Sequence, residues 1–284
     1  MRYSTLISAI ELQALQATPG AHVVVLDCSF DLANPLAGEL AFESGHLPGA
    51  VYAHLDRDLS GAKSTPGQAP RGRHPLPDRA SFAATAGRWG IAPGIQVVTC
   101  DAQGGPYAAR AWWLLQWLGH SATAVLDGGP AAWIAAGGGL VNAAARPSAA
   151  AAYPVRDAGM TTVSAAELQA MLGRVPLVDA RPAERFRGEV EPLDPVAGHI
   201  PGALNRFFKD NLQGDGRFKP AAQLRAEFTA LVGSTGDVVH QCGSGVTACH
   251  NLLAMAHAGL PGSTLYPGSW SEWCADPTRP VARG

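Results

Sequence analysis

The chain is written twice, and that duplication restricts its fold more than any other feature. Leu6-Ile7-Ser8-Ala9-Ile10-Glu11-Leu12-Gln13 is echoed by Thr162-Val163-Ser164-Ala165-Ala166-Glu167-Leu168-Gln169. Each places a Glu three residues after a Ser, the pattern of a capping box that opens a helix. Val23-Val24-Val25-Leu26-Asp27 is echoed by Pro176-Leu177-Val178-Asp179, a buried strand ending in Asp. Gly45-His46-Leu47-Pro48-Gly49-Ala50 returns as Gly198-His199-Ile200-Pro201-Gly202-Ala203, and Asp127-Gly128-Gly129-Pro130-Ala131-Ala132-Trp133 matches Pro267-Gly268-Ser269-Trp270-Ser271-Glu272-Trp273. The order is kept while the spacing drifts by loop-sized amounts, which is the mark of a duplicated domain. Within each copy strands alternate with helices, so the expected fold class is α/β, two tandem domains, each a mostly parallel sheet flanked by helices. The expected division is a first domain over 1–140, a linker over 141–160 rich in Ala and Pro without periodicity, and a second domain over 161–284.

The stretch that carries chemistry is Val238-Val239-His240-Gln241-Cys242-Gly243-Ser244-Gly245-Val246-Thr247-Ala248-Cys249. A β-branched run predicts a buried strand that ends in Cys242; a six-residue loop with two glycines follows, then a helix from Val246 to His257 stopped by Gly259 and Pro261. Gly243 and Gly245 let the backbone curl until successive N–H groups converge on one centre. The helix N-terminus behind adds partial positive charge. Both effects favour the thiolate, which is the nucleophilic form of cysteine. Aligning the strands sets Val97-Val98-Thr99-Cys100-Asp101 against the stretch that ends in Cys242, so Asp101 stands where the nucleophile would be. The first copy is expected to be a scaffold, with Cys100 turned into the sheet.

Composition narrows the partners. Of 284 residues 47% are apolar and 15% charged, with a net charge of −2, which leaves no electrostatic case for nucleic acid or an anionic membrane. The N-terminus leads into an amphipathic pattern containing Glu11 and no signal-type apolar run. The longest apolar helix, Ala111 to Leu118, is too short to span a bilayer. Five cysteines, an odd number without paired spacing, point to a reduced, cytoplasmic protein. Cys249-His250 lacks a second ligand pair at suitable spacing, so no metal is expected. His46 and His199 recur in both halves, including the half without the nucleophile, which marks them as turn-fixing hydrogen bonders.

Together these residues resemble the tandem-domain rhodaneses, the thiosulfate and 3-mercaptopyruvate sulfurtransferases. The resemblance covers nearly the whole chain: the duplicated Gly-His-(Leu/Ile)-Pro-Gly-Ala element, the closing Gly268-Ser269-Trp270-Ser271-Glu272-Trp273, the cysteine in the second half and a degenerate first half. It implies a sulfur relay. The Cys242 thiolate takes the outer sulfur of a small anionic donor, becomes a persulfide, and passes that sulfur to a thiol or cyanide acceptor, with thioredoxin-like proteins among the candidates. No cofactor is needed. The loop Cys242-Gly243-Ser244-Gly245-Val246-Thr247 resembles the mercaptopyruvate branch, whereas the thiosulfate branch carries Arg and Lys directly after the cysteine.

By the same resemblance Arg185 matches the substrate-binding arginine, and Gly243, Gly245, Val246 and Thr247 line the donor site. A guanidinium can grip a carboxylate or sulfonate bidentately. The competing role for Arg185 is an ion pair with Glu184 or Glu189, and Arg181 and Arg187 are expected to be structural or surface groups. Ser244, His74 and Asp58 match a proposed Ser-His-Asp proton relay of the mercaptopyruvate branch. If the relay operates, the first domain contributes to a site between the two domains. The chain departs from that branch after Glu191-Pro192, where Leu193 and Asp194 stand in place of a second arginine.

Two other functions use the same loop. A Cys-loop phosphatase needs an arginine at the sixth position after the cysteine, where this chain has Ala248. A non-catalytic persulfide carrier needs the cysteine but no donor-binding arginine.

Overall fold

The computed structural model describes residues 2–65, 67–143, 151–233, 236–260 and 262–284. Part of the expected linker, residues 144–150, therefore lies outside the described residues. The chain divides into two compact units. The first comprises Met1–Ser60, Pro77–Gly159 and Gly214–Phe218; the second comprises Gly61–Leu76, Met160–Gln213 and Lys219–Gly284.

The strands of the first unit are β1 (Leu6–Ile7), β2 (Val23–Asp27), β3 (Ala50–Tyr52), β4 (Gln96–Cys100) and β5 (Thr123–Leu126). Those of the second are β6 (Thr161–Thr162), β7 (Leu177–Asp179), β8 (Ala203–Asn205), β9 (Val238–Gln241) and β10 (Ser263–Leu265). They form two sheets of identical topology, β1-β5-β4-β2-β3 and β6-β10-β9-β7-β8, with every pair parallel. Central strands β4 and β9 are buried throughout, as expected for parallel strands covered on both faces by helices.

Local chemistry repeats with the topology. Ser8 accepts from the Glu11 N–H at 3.3 Å while the Glu11 carboxylate accepts from the Ser8 N–H at 2.9 Å; Ser164 and Glu167 do the same at 3.3 and 2.7 Å. The two boxes open the helices Ala9–Ala17 and Ala165–Met171. His46 stacks on Phe42 with its Nδ1 at 2.6 Å from the Phe42 carbonyl, and His199 stacks on Phe186 with its Nδ1 at 2.8 Å from the Phe186 carbonyl. Each histidine also forms an isolated antiparallel bridge, His46 with Val141 and His199 with Ala282. These contacts fix a turn in each unit, the role expected of a residue kept in both copies.

The helices Pro106–Trp117 and Ala248–His257 end where Gly119 and Gly259 enter the left-handed region at φ +90° and +69°. Separate apolar cores lie beneath the two sheets, one including Leu12, Val98 and Trp133, the other Leu168, Val239 and Trp273. Among the described residues no helix is long and apolar enough to cross a membrane.

Candidate active site

Strand β9 carries Cys242 to the C-terminal end of the second sheet, the end at which parallel α/β sheets place their ligands. The residue is 1% exposed. Gly245 follows at φ +77°, where a side chain would also collide with the Pro267 carbonyl, so glycine is required on two counts. This turn aims the Gly245 N–H at the Cys242 Sγ, 3.2 Å away. The helix behind the loop begins at Ala248, two residues later than the sequence pattern predicts. Val246 and Thr247 are used instead to bring the chain round, and their carbonyls accept from the Cys249 and His250 N–H groups at 3.0 and 3.1 Å.

The closing motif braces the loop from outside. The Cys242 N–H donates to Ser269 Oγ at 3.1 Å, the Trp270 N–H to the Cys242 carbonyl at 3.0 Å, and the Ser271 N–H to the Gly243 carbonyl at 2.9 Å. Ser269 is the one non-glycine residue among those described with positive φ, at 54°. Its hydroxyl also donates to the Tyr266 carbonyl, which holds it in that conformation. Sequence reasoning found this motif as a signature but assigned no role to Ser269 or Ser271.

Of the expected relay residues, Ser244 and His74 meet. His74 is 3% exposed, and its Nδ1 lies 2.7 Å from the Ser244 Oγ. The segment that carries His74, Gly61–Leu76, belongs to the same compact unit as Cys242. Asp58 belongs to the first unit, where its carboxylate accepts from the His54 N–H at 2.9 Å and burial raises its pKa above the usual carboxylate range.

Arg185 does not pair with Glu184 or Glu189. Its Nη2 donates to Glu191 at 2.6 Å and reaches Asp194 at 3.4 Å, while Glu189 is taken by Arg187 on the exposed surface. A residue that sequence reasoning passed over stands beside it. Arg73 Nη1 donates to Asp194 at 2.7 Å, and the Arg73 N–H donates to Ser271 Oγ at 3.0 Å. Both guanidinium groups reach the loop. From the point where a side chain at Gly243 would begin, Arg73 Nη2 is 3.2 Å away and Arg185 Nη1 is 3.6 Å away. Burial raises the pKa of Asp194 above the usual carboxylate range, against the pull of Arg73. Arg181 is spent on structure, with three side-chain hydrogen bonds to Asp179 and its guanidinium over the Trp270 ring at 4.8 Å.

The first unit holds a carboxylate in the equivalent place. Asp27 pairs with Cys100 as Asp179 pairs with Gln241, so the residues that follow, Asp101 and Cys242, correspond. The Asp101 carboxylate accepts from the N–H groups of Gln103, Gly105, Tyr107 and Ala108 at 2.8 to 2.9 Å. In the first unit a converging set of donors is therefore filled by a carboxylate of the chain itself. Burial pushes the thiols of Cys28 and Cys100 well above the usual cysteine range and that of Cys274 up to about 11, so none of the three supplies a thiolate at neutral pH.

Comparison with known proteins agrees with this geometry. A model of the rhodanese-like domain matches residues 8–136 and again 164–276. The chain is 49% identical, over the full length of both, to a probable 3-mercaptopyruvate sulfurtransferase of Pseudomonas aeruginosa. It is 33% identical to the thiosulfate sulfurtransferase of Gallus gallus, over 89% of this chain and 87% of that one. Among solved structures, the 3-mercaptopyruvate sulfurtransferase of Leishmania major superposes with a TM-score of 0.79 at 30% identity, covering 96% of this chain and 74% of that one.

Proposed function

This chain belongs to the rhodanese family, and we propose that its sulfurtransferase activity runs through a persulfide on Cys242 with 3-mercaptopyruvate as the preferred donor. The observation that carries the choice of donor is the 2.7 Å contact between His74 and Ser244 in the cysteine loop. Cleaving 3-mercaptopyruvate requires a proton to move. The Cys242 sulfur attacks the thiol sulfur, the carbon–sulfur bond breaks, and the electron pair left on carbon takes up a proton to give pyruvate. Ser244 and His74 form a path for that proton between sulfur and carbon. Cleaving thiosulfate expels sulfite and needs no such path.

In the second step a thiol or cyanide attacks the outer sulfur, the sulfur–sulfur bond breaks, and the Cys242 thiolate returns. The electrons balance without an external oxidant. The turn over Gly243, Gly245, Val246 and Thr247 supports the sulfur anion in both steps, and Arg185 meets the donor's carboxylate. A thioredoxin-like protein is a fitting natural acceptor. None of the five cysteines forms a disulfide, which suits a reducing compartment such as the cytoplasm.

The test is kcat/KM for 3-mercaptopyruvate and for thiosulfate on one preparation with cyanide as acceptor. A higher value for 3-mercaptopyruvate supports the proposal; a higher value for thiosulfate overturns the choice of donor.

A further inference from the structure

We infer that Arg73 is the second donor-binding cation of this site and that Asp194 is the positioning residue that holds it there, an inference that rests on the donor reading of the Cys242 loop. The sequence lacks an arginine in the two places that the family resemblance would put one. Gly243 follows the cysteine, and Leu193-Asp194 follows Glu191-Pro192. The fold returns the missing charge by another route. Arg73 arrives from the Gly61–Leu76 segment, and its Nη2 lies 3.2 Å from where a Gly243 side chain would start.

Two anchors place it. Ser271 accepts from the Arg73 N–H with its hydroxyl while its own N–H donates to the Gly243 carbonyl, so one residue ties Arg73 to the cysteine loop. Asp194, with a side chain only 4% exposed, accepts from Arg73 at 2.7 Å and from Arg185 at 3.4 Å, so one carboxylate spaces the two guanidiniums. The carboxylates take Arg73 Nη1 and Arg185 Nη2, and Glu191 also takes Arg185 Nε. The donors left over are those nearest Gly243. Arg73 Nε is also buried with no acceptor among the described residues, so Asp194 does not exhaust the donors of this guanidinium. Gly243 is small because a side chain would enter the gap between the two cations.

The charge count then favours a monoanion. Arg73, Arg181 and Arg185 are matched by Asp179, Glu191 and Asp194. These six side chains cancel one another, so beside the Cys242 thiolate the site has no surplus positive charge before the donor enters, which fits the single carboxylate of 3-mercaptopyruvate better than the two charges of thiosulfate.

The test is steady-state kinetics of the full chain with 3-mercaptopyruvate and cyanide, beside the rate at which cyanide discharges enzyme already loaded with sulfur. In Arg73→Ala the KM for 3-mercaptopyruvate should rise about ten- to a hundredfold, the worth of a hydrogen bond to a charged group, with kcat and the discharge rate nearly unchanged. Arg73→Lys should recover part of that loss. Asp194→Asn should raise KM by a smaller factor, and in the Arg73→Ala/Asp194→Asn double variant the two losses should be clearly less than additive, because the shorter of the two contacts that Asp194 makes is the one to Arg73. An unchanged KM in Arg73→Ala, or additive effects in the double variant, would overturn the inference while sulfur loading of Cys242 stood. Absence of sulfur loading in the wild-type chain would instead remove the donor reading itself. Thermal midpoints check folding, and if Arg73→Ala does not fold, Arg73→Lys and Arg73→Gln take its place in the same comparison.

Discussion

The Nδ1 atom of His74 and the Oγ atom of Ser244 lie 2.7 Å apart, although 170 positions separate them in the chain. Ser244 belongs to the Cys242 loop and His74 reaches it from the Gly61–Leu76 segment; in the proposed mechanism a proton path there is useful to one donor and idle with the other. Ser244→Ala and His74→Gln should each lower kcat for 3-mercaptopyruvate about a hundredfold, a usual contribution of general acid–base catalysis. Turnover of thiosulfate by the same variants should stay near the wild-type value. Equal losses on the two donors, measured side by side, would show that the pair serves the loop's shape and not the proton.

The Asp101 carboxylate gathers four backbone N–H groups at the place that corresponds to Cys242. Asp101→Ala strands these buried donors, and the folded state should lose at least about 2 kcal/mol. Urea unfolding measures this, with sulfur transfer per folded molecule expected to remain close to wild type. Undiminished stability in Asp101→Ala would mean that water satisfies the loop equally well and that the carboxylate is incidental.

His240 is fully buried in β9, and burial lowers its pKa to about 3. Unfolding restores a value near the ordinary ~6.5, so the unfolded chain binds the extra proton between these limits. Stability from this group is therefore complete above about pH 6.5 and falls by up to ~1.4 kcal/mol for each pH unit below it. Replacing it removes that dependence. The melting temperature of His240→Leu should fall less than that of wild type between pH 7 and pH 5; parallel curves would contradict the assignment.

Much of this was legible in the chain because it was written twice. A capping box, a strand ending in Asp and a Gly-His-x-Pro-Gly turn are local patterns, and their recurrence in order specified two parallel sheets. The loop of Cys242 was legible for the same reason, since the glycines needed for its turn adjoin the cysteine in sequence. Arg73 was not. Its importance comes from long-range placement, through the Ser271 hydroxyl and the Asp194 carboxylate, and no periodicity encodes that. Sequence order likewise gives no reason to group Gly61–Leu76 with the later half of the chain. Asp194 read as a missing arginine, and only the structure turned that absence into an anchor for one. The helix start was misplaced by two residues because Val246 and Thr247 suit a helix and are used to close the loop.

The central claim is that one sulfur atom, Cys242 Sγ, carries the transferred sulfur. The most direct measurement is peptide mass spectrometry of the full chain after 3-mercaptopyruvate treatment, without acceptor or reductant. The Cys242 peptide should gain the mass of one sulfur atom, lose it on addition of cyanide, and behave the same way in Cys249→Ser, whose hydroxyl can still donate to the Gly245 carbonyl as the Cys249 thiol does. Cys242→Ser should gain nothing and turn over no donor. Added sulfur on another cysteine, or turnover that survives Cys242→Ser, would contradict the account.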